Sequence, residues 1–355
     1  MNTRVRRGAS ALAIAILALV AAACGSDDDA STSSAAECPF EADTSVTTKA
    51  RIAWQAIPNG DVVVKDLGLL EACLPNAEIS WVQASSGGDV IKYYGAGEVD
   101  LGLMGSAPAS RSASAPLNRD IDIQTIWIHD VIGDAESLIV KDDAASDVKG
   151  LKGKKVAVPF SSTAHYSLLQ AFTDAGLQPG DVEVINLAPE QMPAAWNSGQ
   201  VDAVWVWDPV QSELLANGGT RILSSKDTAE AGRPTFDVGT ASTAFVKDNP
   251  GFLTAWAKVQ DHAIKLLKDD PKVAAESVAV VLGIDPAAAE KQFAGLGFLT
   301  AEEQAGDDYL GKKFASDLQT TARFLADQGE IDKAGTADEY AAHVDASVAA
   351  SAGKG

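Results

Sequence analysis

The chain has 355 residues, 46% of them hydrophobic, and its 49 acidic and 28 basic side chains give a formal net charge of −21. This acidic balance argues against nucleic acid as a partner and against electrostatic attachment to an anionic membrane. A chain of this length is too long for a single hydrophobic core, so we expect two lobes.

The N-terminus has the pattern of an export signal. Three arginines within the first seven residues precede an apolar run at 11–20, and three alanines stand directly before Cys24. The run is too short to span a bilayer, so residues 1–23 are predicted to be a signal peptide. The three alanines followed by Cys24 resemble the lipobox of bacterial lipoproteins. This resemblance implies that Cys24 carries lipid and anchors the protein at the outer face of the cytoplasmic membrane. A secretory signal with a chance cysteine is the alternative.

The segment after Cys24 is predicted to be a lipid-anchored flexible tether, assigned to residues 24–48. Its first part is almost entirely small or polar and cannot bury enough surface to order itself. The remaining cysteines, Cys38 and Cys73, are expected to form a disulfide, because thiols of exported chains tend to pair. A metal pair is the alternative, but it lacks a nearby histidine or third thiol.

Short apolar segments between helical stretches predict an α/β fold. The predicted strands are 52–55, 79–83, 101–104, 138–140, 156–158, 182–185 and 203–207. The segments 97–108 and 199–209 also resemble each other, since each has Gly-x-Val-Asp, an apolar strand and then a proline. The repeat indicates two similar units with a ligand cleft at the carboxyl ends of their strands. The alternative is that the two segments are similar by coincidence, because both follow a common βα pattern.

The segment 153–169, GKKVAVPFSSTAHYSLL, predicts a buried strand that leads into the N-terminus of a helix. Serine and threonine hydroxyls at 161–163 can cap this helix. Its free N–H groups and the positive end of its dipole favour a sulfonate, phosphate, nitrate or carboxylate. Ser86, followed by two glycines, is a second anion-binding candidate. An ordinary capped junction is the alternative reading of the segment 153–169.

The remainder of the chain suggests packing rather than chemistry. After about residue 250, apolar residues at three-and-four spacing predict core-facing helices, and 346–355 are expected to be frayed. The chain has no Walker A loop, HExxH, GxSxG or CxxC motif, and its four histidines lack metal-ligand spacing. We therefore expect no enzymatic activity, no metal and no cofactor.

The segment 153–209 closely resembles binding subunits of bacterial ABC importers in the nitrate, sulfonate and taurine family. Its Ser-Thr-Ala-His-Tyr-Ser-Leu-Leu run is typical of the taurine branch. Further similar segments are 52–55, 105–108, 136–140, 234–238, 298–300 and 324–329. The resemblance implies a periplasmic-binding-protein fold of the second type, with a ligand cleft between two α/β lobes. Lobe 1 would contain 49–133 and 237–355, and lobe 2 would contain 134–236.

The resemblance also implies taurine, a short zwitterion, as the ligand, and delivery by a monomer to an ABC permease and its ATPase. Such a pocket needs donors for the sulfonate and a carboxylate for the ammonium. Glu136 and Asp237 would face the ammonium group, and the Trp207 side chain would pack against the methylene groups of taurine. Asp208 departs from the pattern of the taurine branch, so an alkanesulfonate or nitrate is the alternative ligand. An enzyme that reuses the fold is the alternative function. The expected sulfonate donors are Gln55, Ser106, Ser162, Thr163 and His165.

Overall fold

The computed structural model describes residues 37–141 and 144–353. Cys24 and the predicted signal peptide lie outside the described residues. The strands are β1 (Lys49–Trp54), β2 (Glu78–Gln83), β3 (Leu101–Gly105), β4 (Ile123–Ile132), β5 (Glu136–Lys141), β6 (Lys155–Val158), β7 (Glu183–Asn186), β8 (Ala203–Trp207), β9 (Gly219–Ser224), β10 (Thr235–Ser242) and β11 (Leu296–Gly297).

Helices surround these strands, and none in the described part of the chain is long and apolar enough to cross a membrane. The α-helices are α1 (Gly60–Leu67), α2 (Leu69–Cys73), α3 (Gly87–Gly95), α4 (Ser106–Ser112), α5 (Thr163–Ala175), α6 (Met192–Asn197), α7 (Val210–Ala216), α8 (Ser225–Glu230), α9 (Thr243–Asp248), α10 (Pro250–Asp269), α11 (Pro271–Leu282), α12 (Pro286–Phe293), α13 (Ala301–Ala305), α14 (Lys313–Asp327), α15 (Ala337–Ala341) and α16 (Ala346–Ala352). Short 3-10 helices lie at Leu117–Arg119, Val148–Leu151 and Pro189–Gln191.

The strands form two sheets with the same arrangement. One has the order β11-β4-β10-β3-β1-β2 and the other β7-β6-β8-β5-β9. In each, three parallel strands stand in the order second, first, third, followed by an antiparallel strand and a further strand, and β11 adds a sixth strand to the first sheet. This confirms the predicted α/β fold with two lobes.

The internal repeat runs through β3 and β8, the third strand of each parallel set. The carboxylate of Asp100, just before β3, accepts the backbone N–H of Arg51 in β1 at 2.9 Å. The carboxylate of Asp202, just before β8, accepts the backbone N–H of Lys155 in β6 at 2.8 Å. Because the two aspartates fix equivalent strands in the same way, the repeat reflects structure rather than chance.

The chain passes between the sheets twice, after β4 and before β10. β10 begins at Thr235, two residues before the predicted return to lobe 1 at 237. Thr235 and Phe236 pair with Ile132 and Val131 of β4, so both belong to the six-stranded sheet. All strands of the five-stranded sheet fall within 136–224.

The C-terminal helices pack on the six-stranded sheet, as their apolar spacing predicted. Trp256 of α10 is buried and meets Trp127 of β4 edge to face, with ring centroids 5.8 Å apart. The expected fraying of 346–355 is wrong for the part that forms α16. Asp345 caps this helix by accepting the Ser347 N–H at 2.9 Å, and Val348 is buried. The alanines and valine of α16 thus supply an apolar face.

The segment 37–48, predicted as part of the tether, is held against the six-stranded lobe. Cys38 and Cys73 form the predicted disulfide, with their Cα atoms 4.8 Å apart. The backbone N–H of Asp43 donates to the carbonyl oxygen of Cys73 at 2.8 Å, and Lys258 lies over the Phe40 ring. Because of these contacts, the predicted tether does not extend over residues 37–48.

Candidate functional site

A pocket with about 410 Å³ of empty space, partly open to solvent, lies where the strands of both sheets end. Open α/β sheets bind ligands at this position. Its lining comes from both lobes: Gln55, Ile57, Pro58, Gly87, Gly105, Ile132, Asp237 and Leu296 on one side, and Ala135, Glu136, Ser162, Thr163, Trp207 and Asp208 on the other.

The lining includes seven of the ten residues predicted from the sequence. Ser86, Ser106 and His165 are not part of it, although each lies within two residues of a lining residue in the sequence. Ser86 precedes α3 and the lining Gly87, whereas the Ser106 hydroxyl accepts the Phe236 N–H at 3.2 Å. The His165 ring stacks on Phe160 at 4.5 Å. His165 lines a separate, smaller cavity together with Ser162 and Arg111.

Three buried carboxyl groups meet at one side of the pocket. Asp237 in β10 stands directly opposite Asp130 in β4, and Glu136 begins β5. Both oxygens of Glu136 accept hydroxyl hydrogen bonds at 2.6 Å, from Thr163 and from Ser225. Exposure is at most 6% for any of these carboxylic residues. Among the described residues that line the pocket, none is lysine, arginine or histidine.

Burial is the largest cause of the raised pKa values of these three carboxyl groups. It raises the pKa of Asp130 to about 7 and that of Glu136 to about 6. Burial also raises the pKa of Asp237 well above its usual value, and the negative charges of Asp130 and Glu136 add to this rise. No cluster of three or more potential metal ligands exists among the described residues. The acidic group thus lacks a positive partner among the lining residues that the structure describes.

Two helix N-termini also reach the lining, α3 through Gly87 and α5 through Ser162 and Thr163. The Ser162 hydroxyl caps α5 by accepting the His165 N–H at 3.1 Å, and it donates to the Pro159 carbonyl at 2.6 Å. The Thr163 hydroxyl donates to Glu136. Both hydroxyls expected to hold an anion therefore already donate elsewhere. The first backbone N–H groups of the helices are the donors left for a ligand.

The other predicted residues of the lining are held from within the protein. The Gln55 side-chain amide donates to the Leu103 carbonyl at 2.9 Å. Asp208 accepts the N–H and the hydroxyl of Ser212 at 3.0 and 2.5 Å. Burial raises the pKa of Asp208 to about 6. Trp207 pairs with Glu136 across β8 and β5 and contributes an apolar wall.

Sequence reasoning missed Asp130, together with β4 that carries it. The Asn59 side-chain amide donates to Asp130 at 3.1 Å while its oxygen caps α1. The available signal was a His-Asp pair inside the apolar run 126–132, IWIHDVI. Ionisable residues in the middle of a buried segment are candidates for function.

The raised carboxyl pKa values predict a pH dependence of stability. At pH 7 the unfolded carboxyls are ionised, whereas native Asp61 and Asp130, each with a pKa of about 7, are about half protonated, and the raised pKa of Asp237 adds to the protons that the native state binds. The native state then binds more protons than the unfolded state, so the free energy of unfolding of the ligand-free protein should fall from pH 7 to 9, by about 1 kcal/mol from Asp61 and Asp130 together.

Urea unfolding at both pH values measures this fall, and Asp130→Asn should reduce it. The window starts at pH 7 because His129, whose pKa burial lowers to about 3, has the opposite effect in more acidic solution. An unfolding free energy that rises with pH across this window would contradict the assignment.

Comparison with known proteins identifies the family. Residues 62–282 match the NMT1-like family. The chain belongs to the NMT1-like family. This NMT1-like protein is 30% identical over 274 residues to the taurine-binding periplasmic protein of Escherichia coli K12, which covers 76% of the chain and 82% of the relative.

Other relatives of this NMT1-like protein carry sulfonate names. A putative aliphatic sulfonates-binding protein of Escherichia coli K12 is 34% identical over 174 residues, which is 49% of the chain and 53% of that protein. The structure of the alkanesulfonate-binding protein of Xanthomonas axonopodis pv. citri bound to MOPS is similar with a TM-score of 0.67 and 25% identity. It covers 80% of the chain and 94% of that protein. These similarities confirm the periplasmic-binding-protein fold.

Proposed function

We propose that this protein is an exported binding protein of an ABC importer that captures taurine for its permease. The observation that carries the proposal is the charge pattern of one small pocket. Buried Asp237 and Glu136, with Asp130 behind them, form an acidic side with no basic residue among the described lining residues, and the N-termini of two helices also reach the pocket. A ligand with an ammonium at one end and a sulfonate at the other matches both.

A simple anion matches this pocket less well. An alkanesulfonate or nitrate would bring only negative charge next to buried carboxyls. Like charges about 4 Å apart repel by about 4 kcal/mol at an effective dielectric constant of 20. The relatives include both taurine-binding and sulfonate-binding proteins, so the acidic side is what favours taurine over the alternative, an alkanesulfonate.

Each part of the lining then has a role. Asp237 and Glu136 accept the ammonium N–H groups, and Trp207 covers the two methylenes. The first N–H groups of α5 and α3 donate to the sulfonate. Because Glu136 already receives two hydroxyl hydrogen bonds, Asp237 is the stronger partner for the cation.

Thermal unfolding with a ligand panel tests this function. Taurine at about 100 times its dissociation constant should stabilise the protein by about 2.7 kcal/mol, whereas ethanesulfonate and nitrate at the same concentration should stabilise it far less. The amount of taurine should be unchanged after incubation, because a binding protein does not consume its ligand. Stabilisation by nitrate or ethanesulfonate alone, or consumption of taurine, would overturn the proposal.

The close approach of Gly105 to Thr163 predicts a steric test of cleft closure. A Cβ at Gly105 would lie 2.5 Å from Thr163 Cγ2, and the Thr163 side chain is fixed by its bond to Glu136. Gly105→Ala should therefore weaken taurine binding by about 1 to 3 kcal/mol through overpacking.

Calorimetric titration measures the loss, and a second substitution supplies the control. Thr163→Ser removes the methyl group but keeps the hydroxyl, so Gly105→Ala with Thr163→Ser should regain most of the affinity. A Gly105→Ala protein that binds taurine like the wild type would show that the two lobes do not need this contact.

We also propose that lipid on Cys24 holds the protein at the membrane surface, since the acidic chain gains nothing from anionic lipid. Cells that express Cys24→Ala should incorporate no labelled fatty acid into the protein, whereas the control Ser26→Ala should be labelled like the wild type. Labelling of Cys24→Ala would contradict the lipid anchor.

A further inference from the structure

The carboxyl groups of Asp130 and Asp237 form a pair with too few hydrogen-bond donors. They are direct partners on neighbouring strands and lie within hydrogen-bonding reach of each other. Asp130 Oδ2 accepts the Asn59 amide at 3.1 Å, whereas Asp130 Oδ1 has no hydrogen-bond donor among the described residues. One proton on the pair would supply the missing donor.

None of the described groups that shift the pKa of Asp130 or Asp237 is positively charged. Glu136 faces both aspartates from β5 with a further carboxyl group. Asn59, before α1, is a neutral donor, and the preceding residue in β4, His129, packs against Trp256 instead. Two ionised carboxylates on opposed strand positions repel each other, and burial strengthens this repulsion.

Asp130 and Asp237 differ in their access to a ligand. Asp237 lines the pocket, but Asp130 lies behind it with no exposed surface. Asp130 can therefore act on a ligand only through its neighbour.

We propose that Asp130 and Asp237 share one proton while the pocket is empty and release it to solvent when the ammonium group of a ligand enters. This inference rests on the proposed function. The O–H bond of the shared carboxylic acid breaks, the proton passes to the buffer, and the freed carboxylate oxygen accepts an ammonium N–H. Asp130 thereby favours ligands with an amine without touching them, and Asn59 is a positioning residue that holds Asp130.

A shared proton also reduces the electrostatic repulsion between the buried carboxyl groups of the ligand-free pocket. With one shared proton, the empty pair carries one negative charge rather than two, and the ligand cation replaces the proton. Burial raises the pKa of both groups, which supports a shared proton near neutral pH. An alkanesulfonate without an amine has nothing to replace the proton and should bind without releasing it.

Calorimetric titration at about pH 7 in phosphate and in Tris counts the released protons, because the buffers differ in ionisation enthalpy. Taurine should release close to one proton from the wild type and close to none from Asp130→Asn. The control Asp61→Asn should still release one. Asp61 is another buried carboxyl with a pKa of about 7, bonded to Gln260 at 2.7 Å, and it does not line the pocket.

The wild type alone gives a second readout if Asp130→Asn does not fold. Release of one proton makes taurine affinity rise about tenfold per pH unit below neutrality. Taurine binding with no proton release, or with equal affinity at pH 6 and 7, would overturn the shared proton and leave the proposed function intact. Absence of taurine binding would overturn both. Undiminished release from Asp130→Asn would assign the proton to another group.

Discussion

Asp237→Asn should weaken taurine binding by about 2 to 5 kcal/mol, because it removes a buried charged partner of the ammonium. Asp237 is buried, lines the pocket and stands opposite Asp130. The same substitution should change ethanesulfonate binding far less, or strengthen it, because it removes a negative charge that repels a simple anion. The measured quantity is therefore selectivity as well as affinity.

Four calorimetric titrations, of wild type and Asp237→Asn with taurine and with ethanesulfonate, give the coupling between the carboxylate and the amine. Asp134→Asn is the matched control, because Asp134 is a partly exposed acid at the crossing between the sheets, pairs with Arg221 at 3.4 Å and does not line the pocket. It should leave both affinities nearly unchanged. A double ratio of dissociation constants near one would show that Asp237 does not recognise the ammonium.

Loss of the Cys38–Cys73 disulfide should lower the free energy of unfolding by about 4 kcal/mol. The estimate follows from loop closure over the sequence separation of 35 residues. The bond ties the segment before β1 to the end of α2, so its loss also frees residues 37–48. Urea unfolding of the oxidised and reduced wild type measures the difference.

The reduced wild type is the better comparison because Cys73 is fully buried and a substitution there adds a packing defect. Cys38→Ala, at a partly buried position, supplies a matched variant and should lose a similar amount. A difference below about 1 kcal/mol between oxidised and reduced protein would show that the packing of residues 37–48, rather than the bond, holds this segment.

Local patterns predicted much of the fold. The buried parts of β1, β3 and β6 are short apolar runs, and the Gly-x-Val-Asp repeat marked equivalent strands in both lobes. β4 was missed because His129 and Asp130 interrupt its apolar run, and β9 because its pattern is largely polar. Both strands depend on partners far away in the chain, which a local pattern does not contain.

The site was predictable to a similar extent. Ser162 at the start of α5 could be recognised because capping depends on neighbouring residues. The direction of the Thr163 hydroxyl could not, because Glu136, which receives it, comes from another strand. The pair of Asp130 and Asp237 arises only when β4 and β10 align. Its shared charge is therefore a property of the fold rather than of a sequence motif.

The most direct test of the central claim is the ratio of the wild-type dissociation constants for taurine and ethanesulfonate, measured by calorimetry at neutral pH. The two ligands share a sulfonate on a two-carbon chain and differ in the amine. If the acidic side of the pocket binds the ammonium, taurine should bind at least about 30-fold more tightly, equivalent to 2 kcal/mol. Equal affinities, or tighter binding of ethanesulfonate, would contradict a pocket built for a zwitterion.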